Sequence, residues 1–205
     1  KQKDCEVKGI SLSKNQIKYC NNKAKDLGLS NQVSFELADY REIKGKYDRI
    51  YSVGMFEHVG KKFYKIFFET MSNLLKDDGI FLLHTIGVVD KPTPPNKFIN
   101  RYIFPGGTCP SFSQIIKPIE KTGLIVADTE TLIRHYDKTL ENWLERFLAK
   151  KKEVKDLFDE RFVKMWEFYL ASCAAAFRYR DLAVFQLQIV KNFQSAHRTR
   201  DYIYS

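Results

Sequence analysis

The chain has 205 residues, 44% of them hydrophobic and 14% aromatic, which is enough for one sizeable core in a single domain. No apolar run of about 18 residues or more occurs and the start lacks the apolar segment of a secretory signal, so the sequence predicts a cytoplasmic protein. The net charge of +9 suits anionic lipid, nucleic acid or an anionic cofactor alike, and the four cysteines lack the spacing of a zinc site or a disulfide framework, so no metal is expected.

Through the first 130 residues, short apolar segments alternate with helical patterns. Periodicity and turn residues predict strands at 5–12, 33–37, 48–53 and 79–86, and helices at 13–27 and 62–75. The pair Asp78-Gly79 is predicted to form the turn that opens the last of these strands. The alternation implies βαβ crossovers, and therefore an α/β fold with a mainly parallel sheet.

The composition changes after this region. Residues 90–110 hold five of the six prolines, and they are predicted to form a long loop of a length that is usually functional in a compact domain. Beyond the loop, the patterns predict helices at 111–122, 138–151 and 160–180, and strands at 124–128 and 185–191.

The segment SVGMFEHVG follows a predicted strand directly and contains Gly54, Glu57 and His58. In open α/β sheets, ligands bind just outside the carboxyl ends of the strands, so these positions are candidates for a site. Glycine would let the backbone approach a ligand closely, and Glu57 could then accept hydrogen bonds there. His58 cannot point the same way if the chain is turning into a helix, so we assign it a structural role.

Seven segments occur in the same order as in one enzyme family: GISLSKNQ, LADYREI, YDRIYSVGMFEHVG, GIFLLHTIG, NRYIFPGG, HYDKTLENWLERF and YLASCAAAFRYRDLAVFQ. In these segments the chain resembles the cyclopropane fatty acid synthases and the related mycolic acid methyltransferases, which use S-adenosylmethionine. The resemblance implies a Rossmann-like class I methyltransferase sheet with a helical insertion. It implies a single domain over 1–205, in which 90–122 and 134–180 form a substrate-side loop and helices.

One part of the family pattern is absent. Family members begin the cofactor-binding core with a strand and a glycine-rich loop of the type GCGWG, preceded by a helical lid, and this sequence starts after both. We therefore expect a carboxy-terminal portion of a longer protein, or the product of a truncated gene. The absent strand would be central, and its two neighbours would otherwise leave backbone groups unpaired.

The resemblance also implies where S-adenosylmethionine binds. The turn after the first strand borders the methionyl-ribose part in the family, which makes Ser11, Leu12 and Gln16 candidates for cofactor contacts. The alternative at this turn is a simple helix cap by Ser13.

Three further positions complete the predicted cofactor site. Asp39 and Tyr40 match the place where the family binds adenine, with Asp39 accepting from the exocyclic amine and Tyr40 covering the ring. Asp39 could instead be an ordinary turn residue. Gly54, at the end of its strand, is the third candidate.

For catalysis, the resemblance points to Glu57, His84, Ile86 and Tyr136, which in the family surround a bound bicarbonate. Glu57 would then hold the base and would not itself be the base. Without the resemblance, His84 would be interpreted as a satisfied core histidine. Cys173 matches a cysteine that the family marks as active-site, and a wall position is expected for it because a lone cysteine among small apolar residues behaves as a small hydrophobe.

Most of the aromatic residues are expected to be core, but an acyl-chain tunnel would need the same residue types. Their faces could also stabilise a carbocation by cation–π attraction. The candidates are Phe56, Tyr136, Trp143, Phe147, Trp166, Phe168 and Tyr169.

The function implied by the resemblance is S-adenosylmethionine-dependent methylene transfer to the cis double bond of a phospholipid acyl chain, which forms a cyclopropane ring. Two alternatives stay open: a related small-molecule methyltransferase, and a non-catalytic fragment that binds a lipid surface. The expected partners are an unsaturated phospholipid and the anionic inner face of a membrane, to which the basic chain would attach peripherally. No nucleic-acid-binding motif is present, and dimerisation stays open.

Overall fold

The computed structural model describes residues 4–204 of the chain. The chain divides into two compact units, the first ending at Lys46 and the second beginning at Tyr47. Each unit carries its own sheet.

The first unit is a small βαβ motif. It contains β1 (Val7–Ser11), α1 (Lys14–Asp26) and β2 (Val33–Leu37), and the two strands pair in parallel. Helix α1 begins where the Ser13 hydroxyl accepts a hydrogen bond from the amide of Gln16, which satisfies one of the free donors of the first turn. The predicted strand–helix–strand order of this region is therefore present, with a shorter first strand than predicted.

The second unit has a four-stranded sheet in the order β3-β4-β6-β5. Its strands are β3 (Tyr47–Val53), β4 (Leu75–Val88), β5 (Ile125–Leu132) and β6 (Leu182–Val190). Strands β3 and β4 are parallel, whereas β6 runs antiparallel to both β4 and β5. Strands β3, β4 and β5 thus share one direction, as the predicted mainly parallel sheet requires, and the sheet is mixed only because β6 is reversed.

The direction of β6 follows from the path of the chain. Strand β5 ends at Leu132, opposite Val184, and β6 starts at Leu182, opposite the last residue of β4. The intervening residues therefore leave and re-enter the sheet at the same edge, so β6 has to run back antiparallel to its neighbours.

The predicted turn at Asp78-Gly79 is an irregularity within β4 instead. Tyr47 pairs with Leu75, but Arg49 pairs with Ile80, so the register shifts between them. The extra residues form a bulge, which keeps the strand continuous while it bends.

The helices of the second unit cover both faces of the sheet. They are α2 (Tyr64–Leu74), α3 (Lys97–Tyr102), α4 (Phe112–Ile119), α5 (His135–Ala149), α6 (Lys151–Leu157) and α7 (Glu160–Tyr179). Rings from α2 and α4 contact one face, through Phe67 against Phe81 and through Phe112 against Phe185. Helices α5 and α7 pack over the other face, around a buried cluster that includes Leu140, Leu170 and Val184.

Two boundaries differ from the predicted ones in ways that matter for the site. Helix α5 starts at His135, three positions before the predicted 138, and ends at Ala149, so the last predicted residue, Lys151, begins the separate helix α6. The predicted long loop contains α3, whose start is stabilised by the Asn96 side chain accepting from the amides of Phe98 and Ile99.

Among residues 4–204, no helix has the length and apolar composition needed to cross a bilayer.

Candidate active site

Glu57 lies in a short 3-10 turn that follows β3 directly. Gly54 begins the turn with φ at 65°, a left-handed conformation that favours glycine, and its amide donates to the carbonyl of His84. Phe56, two residues after Gly54, is fully buried, and its ring centroid lies 4.3 Å from that of Tyr64. The turn is thus held on both sides, which fixes the position of the Glu57 carboxylate.

The two carboxylate oxygens of Glu57 have different surroundings. Oε1 accepts a hydrogen bond from the amide of Ile86 at 2.7 Å, which ties β3 to the end of β4. Oε2 is buried and has no hydrogen-bond partner among the described residues. Because Glu57 is only 9% exposed, bulk water gives this oxygen little compensation. Leaving a buried carboxylate oxygen unpaired is unfavourable, so a ligand that donates a hydrogen bond would fit here.

The predicted long loop reaches the same place. The amide of Thr108 donates to the carbonyl of Glu57 at 2.9 Å, and the Thr108 hydroxyl is 3.3 Å from the hydroxyl of Tyr64. Burial raises the pKa of the Tyr64 phenol, so it stays protonated at neutral pH. Neither Thr108 nor Tyr64 belongs to a recognisable sequence motif, so neither was a predicted site residue.

Tyr136 lies on the first turn of α5 and packs against Phe177, with ring centroids 5.1 Å apart. Burial raises the pKa of its phenol, and the negative charge of Glu57 raises it further. Tyr136 and Ile86 also pack against the same buried cluster. Glu57 is therefore bonded to Ile86, Ile86 and Tyr136 pack on one cluster, and the Tyr136 hydroxyl keeps its proton to donate.

Cys173 is half-buried on α7 and packs against the same cluster as Tyr136. Burial raises the pKa of its thiol to about 11. At neutral pH the sulfur is thus a thiol and not the nucleophilic thiolate, which suits a wall position.

His84 stands in a row of side chains that crosses the sheet. It lies opposite Gln186 on β6, and Gln186 lies opposite Glu130 on β5. Nδ1 of His84 is 3.0 Å from Oε1 of Gln186. His84 is two residues from Ile86 on the same strand and therefore shares its face. His58 is exposed and contacts Phe104, with ring centroids 6.0 Å apart.

The candidates at the turn after β1 contact one another. Ser11 donates its hydroxyl hydrogen to Oε1 of Gln16 at 2.7 Å. Ser13 caps α1, which is the alternative given above for this turn. Leu12 is 73% exposed, which leaves its apolar side chain available to a ligand.

Asp39 and Tyr40 lie beside Arg41, a residue that the sequence analysis missed. Asp39 accepts from the amide, Nε and Nη2 of Arg41, and these bonds hold the pKa of the Asp39 carboxyl below its usual range. The Arg41 guanidinium also lies 5.7 Å from the centre of the Tyr40 ring. A carboxylate offers about four acceptor positions, so a ligand amine would find about one of them open.

An aromatic row runs along α7 toward Tyr136. We give this name to Phe158, Phe162, Trp166 and Tyr169, whose successive ring centroids are 4.2, 5.7 and 5.1 Å apart. Phe158 is 62% exposed and Tyr169 only 7%, so the row leads from solvent into the interior. Its inner end, Tyr169, belongs to the buried cluster against which Tyr136 and Cys173 pack, so the row provides an apolar path from the surface to that cluster.

Comparison with known proteins gives a consistent result. Residues 1–187 match the family described as mycolic acid cyclopropane synthetase. A cyclopropane-fatty-acyl-phospholipid synthase of Escherichia coli strain K12 is 40% identical over 195 residues, covering 95% of this chain and 50% of that protein. The chain thus spans about half the length of the curated relatives it matches.

Solved structures agree with this comparison. The cyclopropane synthase MmaA2 of Mycobacterium tuberculosis superposes with a TM-score of 0.85 at 30% identity, over 92% of this chain and 70% of that one. The mycolic acid cyclopropane synthase CmaA1, complexed with SAH and CTAB, gives a TM-score of 0.82 at 31% identity, over 90% of this chain and 69% of that one.

Proposed function

The chain belongs to the mycolic acid cyclopropane synthetase family, and from that premise we propose that the protein uses S-adenosylmethionine to convert a cis double bond of a phospholipid acyl chain into a cyclopropane ring. The observation that carries this proposal is the buried Oε2 of Glu57, which lacks a partner among the described residues. The charge of Glu57 also raises the pKa of Tyr136, which packs against the same buried cluster as Tyr169 of the aromatic row. The E. coli relative is named for this reaction, and the CmaA1 structure contains SAH.

The cofactor contacts in the first unit are assigned to Ser11, Leu12, Gln16, Asp39 and Tyr40. When bound, S-adenosylmethionine supplies an electrophilic methyl group. Exposed Leu12 would offer apolar contact, and Asp39 has about one acceptor position left for an amine. In the second unit, Gly54 leaves open space at the end of β3, where an added Cβ would meet nothing within 4 Å.

An isolated alkene is a weak nucleophile, so the protein has to position it and exclude water. The aromatic row supplies an apolar surface for an acyl chain. The faces of Trp166 and Tyr169 can stabilise positive charge that develops on the alkene carbons.

The second ligand that we propose is bicarbonate, held by Glu57, His84 and Tyr136. When bound, it would supply the base for the last proton. The residues fit such a group: Oε2 of Glu57 can accept from its O–H, and the Tyr136 hydroxyl, kept protonated by its raised pKa, can donate to it. The Ile86 amide is already bonded to Oε1 of Glu57, so it orients the carboxylate and is not free for the ligand.

The direct test is to incubate the protein with S-adenosylmethionine and anionic vesicles of a cis-monounsaturated phospholipid. We expect acyl chains that gain one CH2 and lose the alkene, measured by mass spectrometry and NMR. Vesicles of the saturated phospholipid are the control. A methylated head group, or bound cofactor without any change in the acyl chain, would contradict the proposal.

A membrane-facing site belongs to the same proposal. Leu157 and Phe158 join α6 to α7 and are 77% and 62% exposed. Their direct neighbours are the exposed acids Asp156 and Asp159, with the basic side chains of Lys152 and Arg161 further out, so the tip would attach mainly through its apolar side chains. We propose that this tip touches the bilayer and that acyl chains enter along the aromatic row.

The double variant Leu157→Ser/Phe158→Ser is expected to bind anionic vesicles about tenfold more weakly or worse, because burying a Leu or Phe side chain contributes about 1.5–3 kcal/mol. Vesicle sedimentation without cofactor measures this independently of catalysis. The matched control is Phe193→Ser, since Phe193 is 80% exposed but lies away from the tip in sequence, after β6. If both variants bind as tightly as the wild type, the tip is not the attachment site.

A further inference from the structure

Gln186 lies between two polar partners in the middle of the four-stranded sheet. His84, Gln186 and Glu130 are directly opposite one another on β4, β6 and β5, so their side chains share one face. Nδ1 of His84 is 3.0 Å from Oε1 of Gln186, and Nε2 of Gln186 is 2.6 Å from Oε2 of Glu130. The chain of contacts is continuous, and all three side chains are partly buried.

The chemistry of these groups fixes where the protons are. An ionised carboxylate can only accept, so the atom of Gln186 that faces Glu130 has to be the amide nitrogen. The amide oxygen of Gln186 then faces His84, and this oxygen can only accept as well. Nδ1 of His84 must therefore carry a hydrogen, and a neutral imidazole in that state has a bare lone pair on Nε2.

We propose that Gln186 and Glu130 are positioning residues that hold His84 as its Nδ1–H tautomer. Partners of this kind set the tautomer of functional histidines in other sites. The tautomer itself does not depend on the proposed function, but its use at the site rests on it. With Oε2 of Glu57 also unpaired, His84 would add a second acceptor, and two acceptors favour a ligand that brings its own O–H group.

Long-range 1H–15N NMR of the histidine rings tests the tautomer without substrate or cofactor. The chain has four histidines, and a His84→Gln sample identifies the signals of His84. We expect one neutral tautomer in the wild type, with a protonated Nδ1 and a bare Nε2. A protonated Nε2 with a bare Nδ1 would overturn the proposal.

Variants of the two partners sharpen the test. Gln186→Leu should shift His84 to a mixture of tautomers, because Nδ1–H loses its acceptor. Glu130→Leu should do the same with Gln186 intact, because the amide is then free to turn over. Gln188→Leu is the matched control: Gln188 lies two residues along β6 on the same face but bonds to Tyr202, so this change should leave His84 unaltered.

Two NMR results would refute the proposed role of Gln186 and Glu130. A single Nδ1–H tautomer in all variants would show that Gln186 and Glu130 do not set it. A mixture in the Gln188 variant would show a general loosening of the sheet and would equally refute the assignment. Far-UV circular dichroism of each sample verifies that the variant is folded, and failure of the functional assay alone leaves this NMR readout unaffected.

Discussion

Glutamine in place of Glu57 is expected to lower the rate of product formation by about 100-fold or more, the effect typical of losing a positioned acid–base group, while S-adenosylmethionine binds as tightly as before. Glutamine can still accept from the Ile86 amide, so the turn should keep its shape. What changes is the other oxygen, which becomes an NH2 donor, and the negative charge, which disappears. Turnover assays and calorimetric titration with the cofactor measure the two quantities separately.

The same substitution has a readout that needs no substrate. The charge of Glu57 contributes to the raised pKa of Tyr136, so Glu57→Gln should lower that pKa, although burial will keep it above the ordinary value. Glu145→Gln is a suitable control, because Glu145 lies exposed on the same helix as Tyr136. An equal loss of turnover and of cofactor affinity in Glu57→Gln would count against the role in bicarbonate binding that we propose for it.

Alanine in place of Phe56 is expected to reduce the free energy of unfolding by about 3–5 kcal/mol. Phe56 is fully buried, and its ring packs at 4.3 Å on Tyr64, 5.0 Å on Phe67 and 5.5 Å on Phe68. Removing it leaves a cavity beneath the turn that carries Glu57. Urea unfolding followed by circular dichroism measures the loss, and turnover should fall as well because the carboxylate is less firmly placed.

Two further variants calibrate this result. Phe56→Leu keeps most of the volume and should cost clearly less than alanine. Phe193→Ala removes the same atoms from a side chain that is 80% exposed and should change stability by about 0.5 kcal/mol or less. A loss below about 1 kcal/mol for Phe56→Ala would mean that the core around the turn collapses without consequence.

Much of the fold could be predicted because local pattern and long-range structure agree. The α/β class and the family resemblance are confirmed by the family match and by the two cyclopropane synthase structures. Helix α7 and strands β2 and β3 lie within one residue of their predicted bounds, because each has a clear period and clear end signals. The helix cap that the sequence predicts at Ser13 is confirmed.

The features of the fold that the sequence does not predict depend on contacts between residues far apart in the chain, or on side-chain rotamers. The antiparallel direction of β6 is decided by where the chain re-enters the sheet, and the bulge near Gly79 by pairing with β3. Arg41 shares a turn with Asp39, but its three bonds to that carboxylate are a matter of rotamer and not of sequence pattern.

The site follows the same division. The position of Gly54 and Glu57 at the end of a strand predicts from the residues alone that they belong to a site. The roles of His84, Ile86 and Tyr136 are implied only by the family resemblance. Gln186 and Glu130 could not be predicted from the sequence, because both are far from His84 along the chain, Gln186 by 102 positions, and join it only through strand pairing.

The connection that leaves β5 and returns to β6 at one edge of the sheet has an evolutionary consequence. Residues 133–181 can lengthen, shorten or change sequence without disturbing a single strand pair, because both of their anchor points stay adjacent. Glu57 and His84 lie outside residues 133–181, whereas Tyr136 and the aromatic row lie within them. Under the proposed function, preference for acyl-chain length can therefore change through mutations in α6 and α7, while the residues that follow β3 and lie on β4 stay under separate selection.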